Sequence, residues 1–97
     1  MTPYVETGGL DVQNQGCDET FCTYHLYVKV WLHNPWEEDS FTGAVKCEFW
    51  DDNYMLGDSV RENITINPRR SKELEFVEGY TTGFDAALSV ECDIVTD

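Results

Sequence analysis

Four cysteines and two histidines are the side chains of this chain whose chemistry reaches beyond solubility and packing. Cys17 and Cys22 stand five apart in a polar stretch containing Gly and Asn, whereas Cys47 and Cys92 each interrupt an alternating apolar run. An even cysteine set in a chain of 97 residues reads as a disulfide framework. Four thiols allow three pairings; a local Cys17–Cys22 bridge with a core Cys47–Cys92 bridge is favoured, because the first pair shares a loop and the second shares inward strand positions. The competing chemistry is zinc, with Cys17-x4-Cys22 and His25 as three ligands, although the paired CxxC spacings of structural zinc sites are missing. Oxidised cysteines leave no thiol nucleophile. His25 and His33 are expected on opposite faces of one strand and so unable to cooperate. There is no Gly-x-Ser-x-Gly, no phosphate loop and no His-Glu-x-x-His. The expectation is a protein that is not an enzyme, holds no metal and needs no cofactor.

Binding chemistry is better represented. Tyr27 and Trp31 are expected on the outward face of one strand, Trp50 outward on the following strand and Trp36 in an exposed turn from Asn34 to Ser40. Flat aromatics stack on sugars or anchor a protein partner; their other use is to pair across strands. Arg69, Arg70 and Lys72 place half of the six basic residues within four positions. That is either a contact point for an acidic partner or relief of repulsion from Glu73, Glu75 and Glu78. Asn63-Ile64-Thr65 is an N-glycosylation acceptor triplet. Asp51, Asp52, Asn53 and Asp58 surround Gly57 as in a calcium loop, but the spacing fails the D-x-[DN]-x-[DN]-G pattern, so they read as a solvated acidic turn.

Strands must position these groups, because the periodicity is two nearly throughout. From Tyr24 to Asn34, Leu26, Val28, Val30 and Leu32 fall on one face, against Tyr27, Lys29, Trp31 and His33. Gly43 to Asp51 repeats the alternation with Val45, Cys47 and Phe49 inward. Val60 to Ile66 is expected to turn Val60, Ile64 and Ile66 inward, with Glu62 the one acid pointing the same way. Lys72 to Glu78 contributes Leu74 and Phe76, and Ala86 to Val95 contributes Leu88, Val90, Cys92 and Ile94. A weaker strand is expected within Tyr4 to Val12. Turn signals such as Asn34-Pro35 and Asn67-Pro68 recur every 10 to 15 residues with no helical pattern between them. The pattern predicts one all-β domain over residues 1–97, an antiparallel sandwich of about six or seven strands. Residues 1–22 form a less regular N-terminal strand and cysteine loop, and 23–97 form the core.

The runs Val28-Lys29-Val30-Trp31-Leu32-His33-Asn34, Val45-Lys46-Cys47-Glu48-Phe49-Trp50-Asp51-Asp52-Asn53, Ile64-Thr65-Ile66-Asn67-Pro68 and Leu74-Glu75-Phe76 resemble the FxLYD type of immunoglobulin-like domain. The likeness covers about Tyr24 to Val95, and Arg69-Arg70 stand where that type has a Gly after its turn. The resemblance implies an extracytoplasmic, often lipoprotein-borne module without enzymatic activity. It carries over no functional residue.

Nineteen acidic residues oppose six basic ones, a formal charge of -13. An acidic disordered tail would lack aromatics, yet 13% of this chain is aromatic, so the acid coats a fold. Scarce lysine with dispersed Asp and Glu resembles proteins of salt-loving archaea. Nucleic acid and anionic membrane surfaces are not expected as partners, since both need basic patches. No apolar run is long enough to cross a membrane, and the first residues have neither a basic start nor an apolar stretch. Export, expected from the cysteines, then requires a leader or anchor outside these 97 residues. The reading is a monomeric, non-catalytic, extracytoplasmic interaction or structural module for a protein or a glycan. The alternatives are a carbohydrate-binding module using Tyr27, Trp31 and Trp50, or a small metal-binding domain on Cys17, Cys22 and His25.

Overall fold

A computed structural model describes residues 2–52, 54–83 and 86–95. Seven antiparallel strands make two sheets, and no helix occurs among the described residues. The strands are β1 (Tyr4–Thr7), β2 (Asp11–Cys17), β3 (Phe21–His33), β4 (Phe41–Asp51), β5 (Tyr54–Ile66), β6 (Ser71–Gly83) and β7 (Leu88–Val95). One sheet has β3 at its centre, with β6 along one edge and both β1 and β2 along the other. The second sheet runs β5-β4-β7. In immunoglobulin lettering β1 and β2 share the place of strand A, giving A-B-E facing C′-C-F. The sandwich is elongated, 56 × 21 × 19 Å, because four of its strands run for 11 to 13 residues.

The core follows from alternation. Even positions of β3 from Cys22 to Leu32 are buried, as are Phe41, Val45, Cys47 and Phe49 of β4, Ile64 and Ile66 of β5, and Leu74 and Phe76 of β6. Phe49 and Phe76 are the largest wholly buried side chains, each contributing about 1.5–3 kcal/mol through burial. Asn34 and Thr82 are the buried polar residues among those described, so every described Asp and Glu keeps contact with water.

Both favoured disulfides form, Cys17–Cys22 and Cys47–Cys92. The second joins directly opposed residues of β4 and β7 within one sheet, whereas an antibody-type bridge crosses between sheets. The first staples the end of the β2–β3 hairpin. In that hairpin the Asp18 carboxylate accepts backbone N–H bonds from Phe21 at 2.7 Å and Thr20 at 2.8 Å, which holds it below the usual Asp range.

The ladder departs from simple alternation in two places that matter. Between β4 and β5 the pairing steps from Gly43↔Ile64 to Val45↔Arg61, with Asn63 in a left-handed conformation at φ 57°. This bulge reverses the facing of β5 from Arg61 back to Gly57, where a second shift, between Phe49 and Trp50 of β4, changes it again. Val60, expected inward, pairs with outward Lys46 and is 43% exposed; Glu62, also expected inward, is exposed too. Arg61 takes the inward position instead, with its guanidinium 5.5 Å from the Phe76 ring centre and a bond of 2.8 Å to the Glu75 carbonyl. The second departure is the gap between β1 and β2. Thr7 pairs with Val30 but Asp11 with Tyr27, so Gly8-Gly9-Leu10 carry one residue more than β3 opposes. Gly8 still donates its N–H to the Lys29 carbonyl at 2.8 Å.

Candidate functional sites

Three places gather side chains that could act together, and each is built around β3. The first is the loop end beyond His33. Asn34 is 2% exposed and its side-chain amide donates to the carbonyls of Ile66 and Asp39 at 3.0 Å and of Asn67 at 3.3 Å. Its side-chain oxygen accepts the Trp36 N–H, and its own N–H goes to the Arg70 carbonyl. Arg69 in turn donates its N–H to the Trp36 carbonyl. One buried amide thus welds the 34–40 and 67–70 loops, so Trp36, Arg69 and Arg70 share one end of the molecule. Trp36 is not the open ring expected of an exposed turn: it is half-buried, edge-on to Phe41 at 5.8 Å between centres. Arg69 pairs with Glu37 at 3.4 Å on the exposed surface. In the sequence Asn34-Pro35 reads only as turn punctuation, and nothing there signals the buried role of Asn34.

Beside that end lies a row of side chains that no motif announced. The His33 ring meets the Ser71 hydroxyl through Nδ1 at 2.5 Å and the Glu6 carboxylate through Nε2 at 3.0 Å. Tyr4 stacks over the imidazole at 4.8 Å. The four residues come from β1, β3 and β6, where Tyr4↔His33 and His33↔Ser71 are direct cross-strand partners. Strand pairing, unknown from sequence, is what assembles them.

The third place is the outer face of the β3 sheet. Tyr27, Lys29 and Trp31 line a trough of about 350 Å³ at the β1–β2 gap, together with Gly8, Gly9, Asp11, Gln13 and Glu75. Trp31 leans over Gly8: a methyl added there would lie 3.2 Å from the indole and 2.9 Å from the Lys29 carbonyl. Trp50 lies elsewhere. It sits on β4, in the opposite sheet, on the face turned away from the core, so Tyr27, Trp31 and Trp50 form no common platform. Alternation gives the face a residue occupies but not the sheet its strand joins.

His25 and His33 are both outward on β3, on the same face, which corrects the expectation of opposite faces. Eight residues separate them, about 26 Å of strand, so they do not act together. His25 instead packs over Gly79 and lies edge-on to Tyr27 at 6.5 Å. The zinc arrangement fails because Cys17 and Cys22 are bonded to each other and supply no thiolate. Among the described residues no group of three or more His, Cys, Asp or Glu side chains is placed to hold a metal ion. Of the acidic turn, Asn53 lies outside the described residues; the Asp51 carboxylate accepts a hydrogen bond from the Thr82 hydroxyl. Asn63 is exposed at its bulge, and the Thr65 hydroxyl of the acceptor triplet bonds that of Thr42 at 2.9 Å.

No protein family, no curated protein and no solved structure matches the chain.

Proposed function

We propose that this chain is a non-catalytic extracytoplasmic interaction module, monomeric, that offers open sheet faces and one loop-built end to a partner. The closure of all four cysteines into two bridges suits an oxidising compartment and supports the placement outside the cytoplasm. The resemblance to FxLYD-type domains points the same way. The acidic excess fits a salt-rich setting and disfavours nucleic acid and anionic membranes as partners.

The observation that carries the non-catalytic reading is the Glu6–His33–Ser71 row itself, an arrangement that imitates a hydrolase. Its members are cross-strand neighbours on regular strands, with Tyr4 laid over the imidazole. The backbone amides just before Ser71 are already committed, Arg69 to the Trp36 carbonyl and Arg70 to that of Asn67, so neither is free to stabilise an oxyanion. The row therefore works as a clamp across β1, β3 and β6. Incubation with a fluorophosphonate probe followed by peptide mapping is the test. Ser71 is expected to stay unlabelled; covalent modification that disappears in His33→Ala would overturn the reading.

A further inference from the structure

We infer that the trough at the β1–β2 gap is a binding subsite for a neutral, hydroxyl-rich glycan; the inference rests on the interaction-module reading and names its ligand. Three observations converge there. Tyr27 and Trp31 are half-buried on one strand face, four residues and about 13 Å apart, so their rings mark the two ends of a linear site. The Trp31 ring is already settled against the bare backbone of Gly8 and half-exposed, so it loses little further freedom on binding. Lys29 stands between the rings with Glu75 opposite it on β6, while Asp11 lies beside Tyr27 and accepts a bond of 3.3 Å from the Gln13 amide just beyond, so the lining mixes acceptors and donors.

That mixture selects among ligands. A sugar hydroxyl both donates and accepts, so it can use carboxylate, amide and ammonium at once. A polyanion meets Asp11, Glu75 and a net charge of -13. A polycation is drawn by that same charge but meets the Lys29 ammonium, held near Glu73 at 3.9 Å, between the two rings, and it is therefore the competitor set against the sugars in the test. The missing side chains of Gly8 and Gly9 supply the depth.

The test is calorimetric titration of the intact protein at molar salt with linear hexasaccharides of β-1,4-glucose, β-1,3-glucose, β-1,4-mannose and β-1,4-N-acetylglucosamine, with an oligolysine peptide beside them. One of the sugars is expected to bind, with Trp31→Ala and Tyr27→Ala each weakening it by about tenfold or more. Trp50→Phe, on the opposite sheet, is expected to leave the affinity unchanged. Melting curves matching the parent show that both alanine variants remain folded. Silence with all four sugars, binding of oligolysine alone, or equal loss in Trp50→Phe would overturn the glycan assignment. Shortening of a bound hexasaccharide would leave that assignment standing and overturn the non-catalytic reading.

Discussion

Asn63 holds a backbone that few residues tolerate, φ 57°, at the point where β5 slips against β4. Asn and Gly accept that region, while a β-branched side chain is strained in it. Asn63→Gly is expected to keep stability within about 1 kcal/mol, and Asn63→Val to cost about 1–3 kcal/mol, both read from urea unfolding. Asp18 gives the residue scale a pH dependence. Its carboxyl titrates at 3.8 when unperturbed and lower in the folded hairpin, because the Phe21 and Thr20 amides favour the charged form. A depressed folded value stabilises above the unfolded one, and that contribution disappears as the pH falls through the folded one. The melting-temperature advantage of the parent over Asp18→Asn is therefore expected at pH 6 and should shrink as the pH drops below 3.8. An advantage that stays constant to pH 2 would contradict the hairpin's hydrogen bonding.

Among the elements, β3, β4 and the first half of β6 were legible because apolar and polar residues alternate along them, so the facing of Leu26, Phe49 or Phe76 needed no partner strand to read; β6 runs on past Glu78 to Gly83, with Val77 outward and Glu78 opposite Leu26. β5 was not, since a single left-handed residue reverses the pattern midway, and Val60 and Glu62 look inward to anyone who carries the alternation through Asn63. The aromatic site was half legible for a similar reason. Tyr27 and Trp31 share a strand, so their common face follows from spacing, but Trp50 reaches the other sheet through the loop after Asn34, and no local pattern records that crossing. The clamp of Glu6, His33 and Ser71 depends entirely on register between three distant segments. Asn34 decides where the crossing goes. Asn34→Ala would strip partners from the carbonyls of Ile66, Asp39 and Asn67 and from the Trp36 amide. Leaving such groups unpaired costs about 1–3 kcal/mol. Hydrogen exchange should accelerate first at Trp36 and Arg69, whose loops the amide joins; uniform acceleration along all strands would contradict that role.

Across the whole molecule, the acid excess and the core are separate layers: no described Asp or Glu is buried, and the buried cluster is formed by apolar side chains. Repulsion within a coat of charge -13 opposes compactness at low salt, and raising salt from about 0.1 M to 1 M cuts the screening length from about 10 Å to about 3 Å. The urea midpoint is expected to rise over that range; a flat or falling midpoint would argue against a stored repulsion. Beneath the coat, the fold depends on its bridges. Closing the 45-residue separation of Cys47–Cys92 contributes about 4 kcal/mol in the chain-entropy account, and Cys17–Cys22, only five apart, about 2 kcal/mol. The same bridges exclude thiolate chemistry at Cys17 and Cys22 and suit an oxidising compartment, so the stapled sandwich is the claim on which the others stand. Peptide mapping by mass spectrometry, without reductant and with free thiols alkylated first, tests it most directly. The expected result is two linked peptide pairs, Cys17 with Cys22 and Cys47 with Cys92, and no alkylated cysteine; four alkylated thiols, or a bridge joining either of the first pair to either of the second, would contradict it.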